Sequence, residues 1–220
     1  MKSGLSRELI AMRVANEFED GDYVNLGIGL PTLVSNFIPD GINVTLHSEN
    51  GVLGYGRIAS EEEIDPDLIN AGSQPITLKA GATFFDSALA FSMIRGGYID
   101  VAVLGAFQVS ERGDLANWMT LARGVGSIGG SMDLVSGVKK VIVAMEHTNR
   151  AGEPKIVKEC TYPLTGTGVV NLIITDLGVI EVISEGLLLK EVAPSVTPEE
   201  VQTLTEPKLI LAEDIQEMRL

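Results

Sequence analysis

Between Tyr23 and Leu46 the chain passes from an apolar strand, Tyr23 to Ile28, through Gly27-Ile28-Gly29-Leu30-Pro31-Thr32 into a short helix and then into a second strand, Ile42 to Leu46. Pro31 has a preset φ and no N–H, so it suits the first turn of a helix reaching Phe37 or Ile38, and Pro39-Asp40-Gly41 closes that helix. Two strands joined by a crossover helix lie parallel in one sheet, and a parallel sheet needs cover on both faces. This stretch therefore points the whole chain towards an α/β fold. The remaining pattern supplies the parts. Ser6 caps a helix to about Phe18 with Asp20-Gly21 as its stop, Ile76 to Lys79 reads as a strand, and Thr83 to Arg95 as a helix ended by Gly96-Gly97. Ile99 to Leu104 and Val138 to Met145 are buried strands, the second preceded by a short helical stretch, Met132 to Ser136. Then come strands at Ile156 to Thr161, Asn171 to Ile174, Val179 to Ile183 and Leu187 to Val192, a helix at Pro198 to Leu204 capped by Thr197, and an edge strand at Leu209 to Ala212. The expectation is one α/β domain over residues 1–220. It has a mixed, mainly parallel open sheet flanked by helices and a strand-rich C-terminal part.

Composition narrows what such a domain does. With 45% hydrophobic residues in 220 and a mean hydropathy of +0.24, there is ample material for a core. Sixteen Lys and Arg against 30 Asp and Glu give a net charge of -14, which argues against nucleic acid or an anionic membrane as partner. Any anionic ligand has to be held by local donors. Cys160 is the only cysteine, so no intrachain disulfide forms, which fits a reducing cytosol. Charges at Arg7, Glu8, Arg13, Glu17 and Glu19 break up the N-terminal segment, so it does not read as a signal peptide, and no run reaches the roughly 18 apolar residues of a membrane span. A soluble cytoplasmic protein is expected. The high apolar fraction with only 21% charged residues also suggests surface buried against another chain.

The candidate chemistry sits in Val44-Thr45-Leu46-His47-Ser48-Glu49-Asn50-Gly51. A strand stops at Glu49, with the glycines at 54 and 56 reading as loop, and in open α/β sheets ligands collect outside the carboxyl ends of strands. On these eight residues alone, a solvated acid in an Asn-Gly hairpin is the simpler account. The turn from Gly27 to Thr32 offers backbone N–H groups to an anion, or is simply a tight turn; it lacks the third glycine of a dinucleotide fingerprint. A second cluster, Gly124 to Asp133, places four glycines in seven residues just before a helix start, which favours close backbone approach to a ligand over a mere connector. Trp118 reads as a loop anchor, and the acidic run Glu61 to Asp67 as a solvated loop without a histidine to make it a metal site. His47 and His147 read as packed or loop histidines, neither ligands nor members of a triad. One glutamate and the glycine-rich donors remain. A carboxylate is a competent covalent nucleophile at a carbonyl centre when water is excluded and backbone N–H groups hold the oxyanion.

Ser48-Glu49-Asn50-Gly51 resembles the active-site signature of the class I coenzyme A transferases. Asn25 to Thr32, Asn70-Ala71-Gly72, Met93 to Gly97, Gly113 to Trp118, Gly129 to Leu134 and Pro163-Leu164-Thr165 also resemble that family, in order, and the whole is similar to its smaller, β-type chain. The resemblance implies that Glu49 attacks an acyl-CoA and carries CoA as a γ-glutamyl thioester in a ping-pong reaction without metal or redox cofactor. It implies that the Gly130 N–H contributes to the oxyanion hole, and that Gly27, Gly29, Ser48, Asn50, Gly51, Arg123 and Gly129 bind substrate or CoA. The family's Pro-Gly-Lys is Leu121-Ala122-Arg123 here, which keeps the charge and changes its reach and shape. An α-subunit partner, in an α2β2 assembly, is implied as well. With no obvious basic patch in this acidic chain, phosphate contacts are expected from that partner. The expected substrates are acetoacetate or its CoA ester with acetate, butyrate or succinate, or else 3-oxoadipate. Two other readings of the residues stand beside it: a sugar-phosphate isomerase using Glu49 as general base, and a metabolite-binding chain with no turnover.

Overall fold

A computed structural model describes residues 4–120, 124 and 126–220. Ser6 caps α1 (Arg7–Ala15), its hydroxyl accepting the Leu9 N–H at 3.3 Å. The helix stops short of Phe18 because the chain tightens into bonds of the i to i−3 type, Glu17 N–H to Val14 O and Phe18 N–H to Ala15 O. Phe18 still reaches the core.

β1 (Tyr23–Leu26) and β2 (Thr45–Ser48) are parallel neighbours, with Val24 opposite Leu46 and Asn25 opposite His47. The crossover between them is a 3-10 helix, Pro31–Asn36. The Thr32 and Ser35 hydroxyls favour that tighter form by donating back to the carbonyls of Gly29 and Thr32, at 2.6 and 3.0 Å. Glu49-Asn50-Gly51 then turns the chain into β3 (Val52–Ile58), antiparallel to β2, and β4 (Ile76–Phe84) pairs antiparallel beyond it. The stretch around Gly54 and Gly56, expected as loop, is thus strand. Gly54 marks an irregularity in it, with φ of +83° where the β3–β4 register shifts. Thr83 and Phe84 also leave the expected helix, because pairing with Leu53 and Val52 holds them in β4. The next helix, α2 (Ser87–Arg95), begins where the Asp86 carboxylate accepts the Leu89 N–H at 2.8 Å.

The rest of the chain adds β5 (Val101–Leu104), β6 (Gln108–Ser110), β7 (Leu115–Ala116), α3 (Ser131–Gly137), β8 (Lys140–Ala144), β9 (Ile156–Val157), β10 (Leu172–Ile174), β11 (Gly178–Ile183), β12 (Gly186–Val192), α4 (Pro198–Thr203) and β13 (Leu209–Glu217). One sheet runs β13-β12-β11-β10-β8-β5-β1-β2-β3-β4, and β7-β6-β9 form a second. From β10 across to β2 the neighbours are parallel, and antiparallel pairs extend the sheet on both sides. The mixed, mainly parallel sheet is the architecture expected. β9 is shorter than Ile156 to Thr161, because the N–H groups of Lys158 and Thr161 go to the side chains of Glu206 and Gln108. β13 is an edge strand, and it extends past Ala212 to Glu217.

The central strands read as continuous apolar runs because both faces are covered. Along β5, Val101 and Val103 pack into a cluster with Ile10 and Val14 of α1, while Ala102 and Leu104 point into another with Ile94 of α2 and Leu134 of α3. Burying each such valine, leucine or isoleucine contributes roughly 1.5–3 kcal/mol. β1 is where the strand order reverses, with β2 on one side and β5 on the other. A crevice opens at the carboxyl ends of strands at such a reversal, and the exits of β1 and β2 both lie there.

Candidate active site

Glu49 follows β2 directly and is half-buried. From the neighbouring β1, Asn25 donates an amide N–H to Glu49 Oε2 at 3.0 Å. The same nitrogen lies 3.1 Å from His47 Nδ1 and 3.3 Å from the His47 carbonyl, three acceptors for two hydrogens. Burial lowers the His47 pKa to about 4, so the ring is neutral at pH 7, and with Nδ1 facing the Asn25 amide its proton belongs on Nε2. Asn25 Oδ1 and His47 Nε2 are buried without a well-formed hydrogen bond among the described residues, although the Ala90 backbone lies close enough to the His47 ring to favour its charged form weakly. Burial, and then the charge of Glu49, push the Tyr55 hydroxyl pKa upward.

Gly130 closes the other side. A Cβ added to it would lie 3.4 Å from Glu49 Oε1 and 3.0 Å from the Phe91 ring. The glycine loop and the acid, 81 positions apart in the chain, are neighbours in space. Several contacts hold that loop. Gly130 is the N-cap of α3, Arg95 at the end of α2 binds Asp133 of α3 at 2.7 Å, and the Arg95 guanidinium also lies 5.5 Å from the Phe91 ring centre. Asn117 donates to Ser131 Oγ at 3.3 Å and accepts from Thr165 Oγ1 at 2.6 Å, while the Trp118 indole N–H donates to the Leu164 carbonyl at 3.2 Å. The segments around Asn25, Glu49, Arg95, Trp118, Gly130 and Thr165 form one connected structure around a single carboxylate. Among the described residues, no group of three or more His, Cys, Asp and Glu side chains is placed to hold a metal.

A family model for coenzyme A transferase matches residues 7–204. The chain belongs to the coenzyme A transferase family. Curated relatives match this transferase chain over almost all of its length. It is 48% identical to the beta subunit of the acetate CoA-transferase of Haemophilus influenzae, over 98% of this chain and 96% of the relative. It is 53% identical to the B subunit of the 3-oxoadipate CoA-transferase of Pseudomonas putida, over 94% and 97%. It is also 53% identical to the B subunit of the succinyl-CoA:3-ketoacid coenzyme A transferase of Helicobacter pylori, over 91% and 96%. Among solved structures, an acyl-CoA transferase of E. coli O157:H7 in a thioester complex with CoA shares the fold with a TM-score of 0.76 at 20% identity; all of this chain is covered, and it spans 44% of the length of that protein.

Of the transferase residues expected to meet substrate, several have partners within the chain. Ser48 Oγ is buried and accepts the Ala71 N–H at 2.9 Å, tying the Asn70-Ala71-Gly72 loop to the acid, and Asn50 Nδ2 donates to the Ile69 carbonyl at 2.7 Å. Gly51 has φ of +111°, and a Cβ there would collide with the Phe85 carbonyl oxygen, so no other residue fits this turn. These three position Glu49. Gly27 packs against β5, its N–H donating to Val103 O at 2.8 Å. Gly29, with φ of +96°, borders a cavity at the strand ends, and Gly129, with φ of +54°, faces open space beside Gly130. Leu121-Ala122-Arg123 lie outside the described residues. Sequence reasoning did not single out Asn25 or Phe91 as parts of the site. Asn25 carries a signal, a polar side chain in the buried strand Val24-Asn25-Leu26, where burial requires a specific partner.

Proposed function

We propose that the chain is the B subunit of a CoA-transferase that moves CoA between an acyl-CoA and a free carboxylic acid through Glu49. The carboxylate attacks the thioester carbonyl, giving a mixed anhydride and expelling CoA as thiolate. The thiolate then attacks the Glu49 acyl carbon, releasing the donor acid and leaving a γ-glutamyl-CoA thioester. An incoming carboxylate attacks that thioester, CoA thiolate leaves again, and its attack on the acceptor's side of the new anhydride restores Glu49 and yields the product acyl-CoA. Electrons and atoms balance without metal or redox cofactor. The Gly130 N–H serves as oxyanion donor, a contribution of roughly 3 kcal/mol in the transition state.

The observation that carries this reading is the division of labour on the carboxylate. Asn25 holds Oε2 at 3.0 Å, while Oε1 faces the side-chain-free Gly130. An A subunit, in an α2β2 assembly in the cytoplasm, completes the enzyme in this reading, since the relatives named above are B or beta subunits. Acetoacetate and its CoA ester, exchanging with acetate, butyrate or succinate, are the proposed substrates, with 3-oxoadipate as the other candidate.

Mass spectrometry of the chain co-purified with its partner and mixed with acetoacetyl-CoA tests the mechanism. A mass gain of CoA less water on the Glu49 peptide, discharged by an acceptor acid, is expected. An intact complex that binds the acyl-CoA and forms no such adduct would overturn it.

A further inference from the structure

We propose that His47 is a positioning residue for Glu49: its Nδ1 takes one hydrogen of the Asn25 amide and so turns the other towards the carboxylate. The role of Glu49 is taken from the reading above; that of His47 follows from register, from the ring's surroundings and from a count of acceptors.

Register brings the three side chains together. Asn25 lies opposite His47 in the parallel pair of β1 and β2, and Glu49 follows His47 by two positions, so all three fall on one face of the sheet. The His47 ring is fully buried there and stacks on Phe85, with ring centres 6.1 Å apart. Phe85 in turn donates its N–H to the Gly51 carbonyl at 3.0 Å, which ties the stack to the turn that follows Glu49. An apolar side chain would pack here without leaving a buried nitrogen short of a partner. A purely structural role therefore does not account for the imidazole.

The direction of each hydrogen follows from its neighbours. The Ala90 backbone of α2 weakly favours a hydrogen on the ring, and Nδ1 faces the Asn25 amide nitrogen at 3.1 Å, so the hydrogen is on Nε2 and Nδ1 offers its lone pair. Asn25 then gives one hydrogen to Nδ1, with the His47 carbonyl sharing it at 3.3 Å, and the other to Glu49 Oε2 at 3.0 Å. A reversed amide would set Asn25 Oδ1 against three acceptors: the carboxylate, the carbonyl and Nδ1. Moving the ring hydrogen to Nδ1 would remove one of those three, because Nδ1–H would then donate to Oδ1. The Nε2–H tautomer is thus what keeps the amide nitrogen facing the acid.

The carboxylate orients the amide by its own charge only between turnovers. As an anhydride or a thioester Glu49 is uncharged, and the hydrogen bond to it loses its charge assistance. His47 supplies the acceptors that stay the same throughout, Nδ1 and its own carbonyl. Asn25 is therefore still in place when Glu49 is set free again as a carboxylate. Without Nδ1, the His47 carbonyl is the single constant partner for two amide hydrogens. The sequence reads His47 as a packed histidine, and packing is half of its part here: the stack fixes the ring, and the ring fixes the amide.

The test compares the wild-type complex with His47→Phe, which keeps a ring against Phe85 and removes both nitrogens, and with His47→Asn, whose side-chain oxygen stands in for Nδ1. His47→Phe is also made on Asn25→Ala. With acetoacetyl-CoA and acetate, kcat is expected to fall roughly fivefold to tenfold in His47→Phe, with the KM of the acceptor within about twofold of wild type, and His47→Asn recovers most of the loss. On Asn25→Ala, His47→Phe is expected to change kcat by less than about twofold, because the amide through which the ring acts is gone. Equal losses with and without Asn25, an unchanged kcat in His47→Phe, or a folded His47→Asn no better than His47→Phe would each overturn the proposal. Should a substitution at His47 fail to fold, nitrogen-15 spectra of the wild-type complex with this chain alone labelled, assigned with His147→Leu, still decide. A hydrogen on Nε2 of His47 and none on Nδ1 at pH 7 is expected, and a hydrogen on Nδ1 would overturn the proposal. Coupling between His47 and Asn25 in a complex that forms no Glu49 adduct would keep the positioning role and refute the covalent mechanism. Additive losses in a complex that does form the adduct would refute the positioning role alone.

Discussion

Two histidines in this molecule are fully buried, and they are finished in opposite ways. His147 has both ring nitrogens satisfied, Nδ1 at 2.9 Å from Thr175 Oγ1 and Nε2 at 2.9 Å from Thr205 Oγ1. Because Thr205 spends its own proton on the Val201 carbonyl at 2.8 Å, it must accept from Nε2–H, which leaves Nδ1 to accept from Thr175. His47 has one nitrogen against Asn25, while its Nε2 makes no well-formed hydrogen bond among the described residues and the ring has only the Ala90 backbone beside it as a further, weaker partner. A closed network specifies a core, whereas a loosely completed one beside the proposed nucleophile leaves room for a charge or a ligand to complete it. On the proposed mechanism, the contrast separates a region built for stability from one built for turnover.

The sharpest way to break that contrast is Glu49→Gln. Turnover of acyl-CoA by the complex is expected to fall by more than about 10³-fold, with the urea midpoint unchanged, since Gln still accepts from Asn25 through its carbonyl oxygen. A variant that kept a tenth of the activity would remove Glu49 from the chemistry. At the other histidine the effects should exchange places. His147→Leu removes two buried hydrogen bonds and is expected to lower stability by about 3 kcal/mol while leaving kcat as it was. Urea unfolding of the complex at fixed concentration reads the first quantity and steady-state kinetics the second; a large loss of kcat at full stability would contradict the division. Asn25→Ala should mirror this on a smaller scale. Loss of a charge-assisted hydrogen bond to Glu49 predicts roughly a thirtyfold drop in kcat with little change in the KM of the acceptor, about 2 kcal/mol.

Much of this is legible in the amino-acid order alone. Val101 to Leu104 is an unbroken apolar run bounded by turns, and a strand buried on both faces is what such a run encodes. Glu49 at a strand end and Gly130 before a helix can be read one by one. Their contact cannot, because it depends on how α2 and α3 pack, and nothing local to either residue encodes that. Thr83 and Phe84 read as helix because periodicity alone cannot weigh the strand pairing that claims them. The cavity at the strand ends shows the same limit more strongly. Its cations, Arg7, Arg150 and Lys155, are scattered across an acidic sequence, and only the parallel order of β1, β5 and β8 brings them together.

Protonation offers the gentlest test of the closed network. Burial lowers the pKa of His147 to about 4, against about 6.5 in the unfolded chain. The unfolded state therefore takes up a proton between those values that the folded state refuses, so this stabilising contribution is complete above pH 6.5 and is lost as the pH falls towards 4. At pH 5.5 the loss is about 1.4 kcal/mol. Other groups titrate in the same range, and Asp176, whose pKa is raised chiefly by burial, works in the opposite direction. Comparing wild type with His147→Leu cancels them. The deficit of the variant, about 3 kcal/mol at pH 7.5, is expected to narrow by about 1.4 kcal/mol at pH 5.5, because only the wild type has the histidine contribution to lose. A gap that stays constant across that interval would mean that His147 takes up its proton as readily folded as unfolded, and the two hydroxyls around it would then be supporting a charged ring in place of a neutral one.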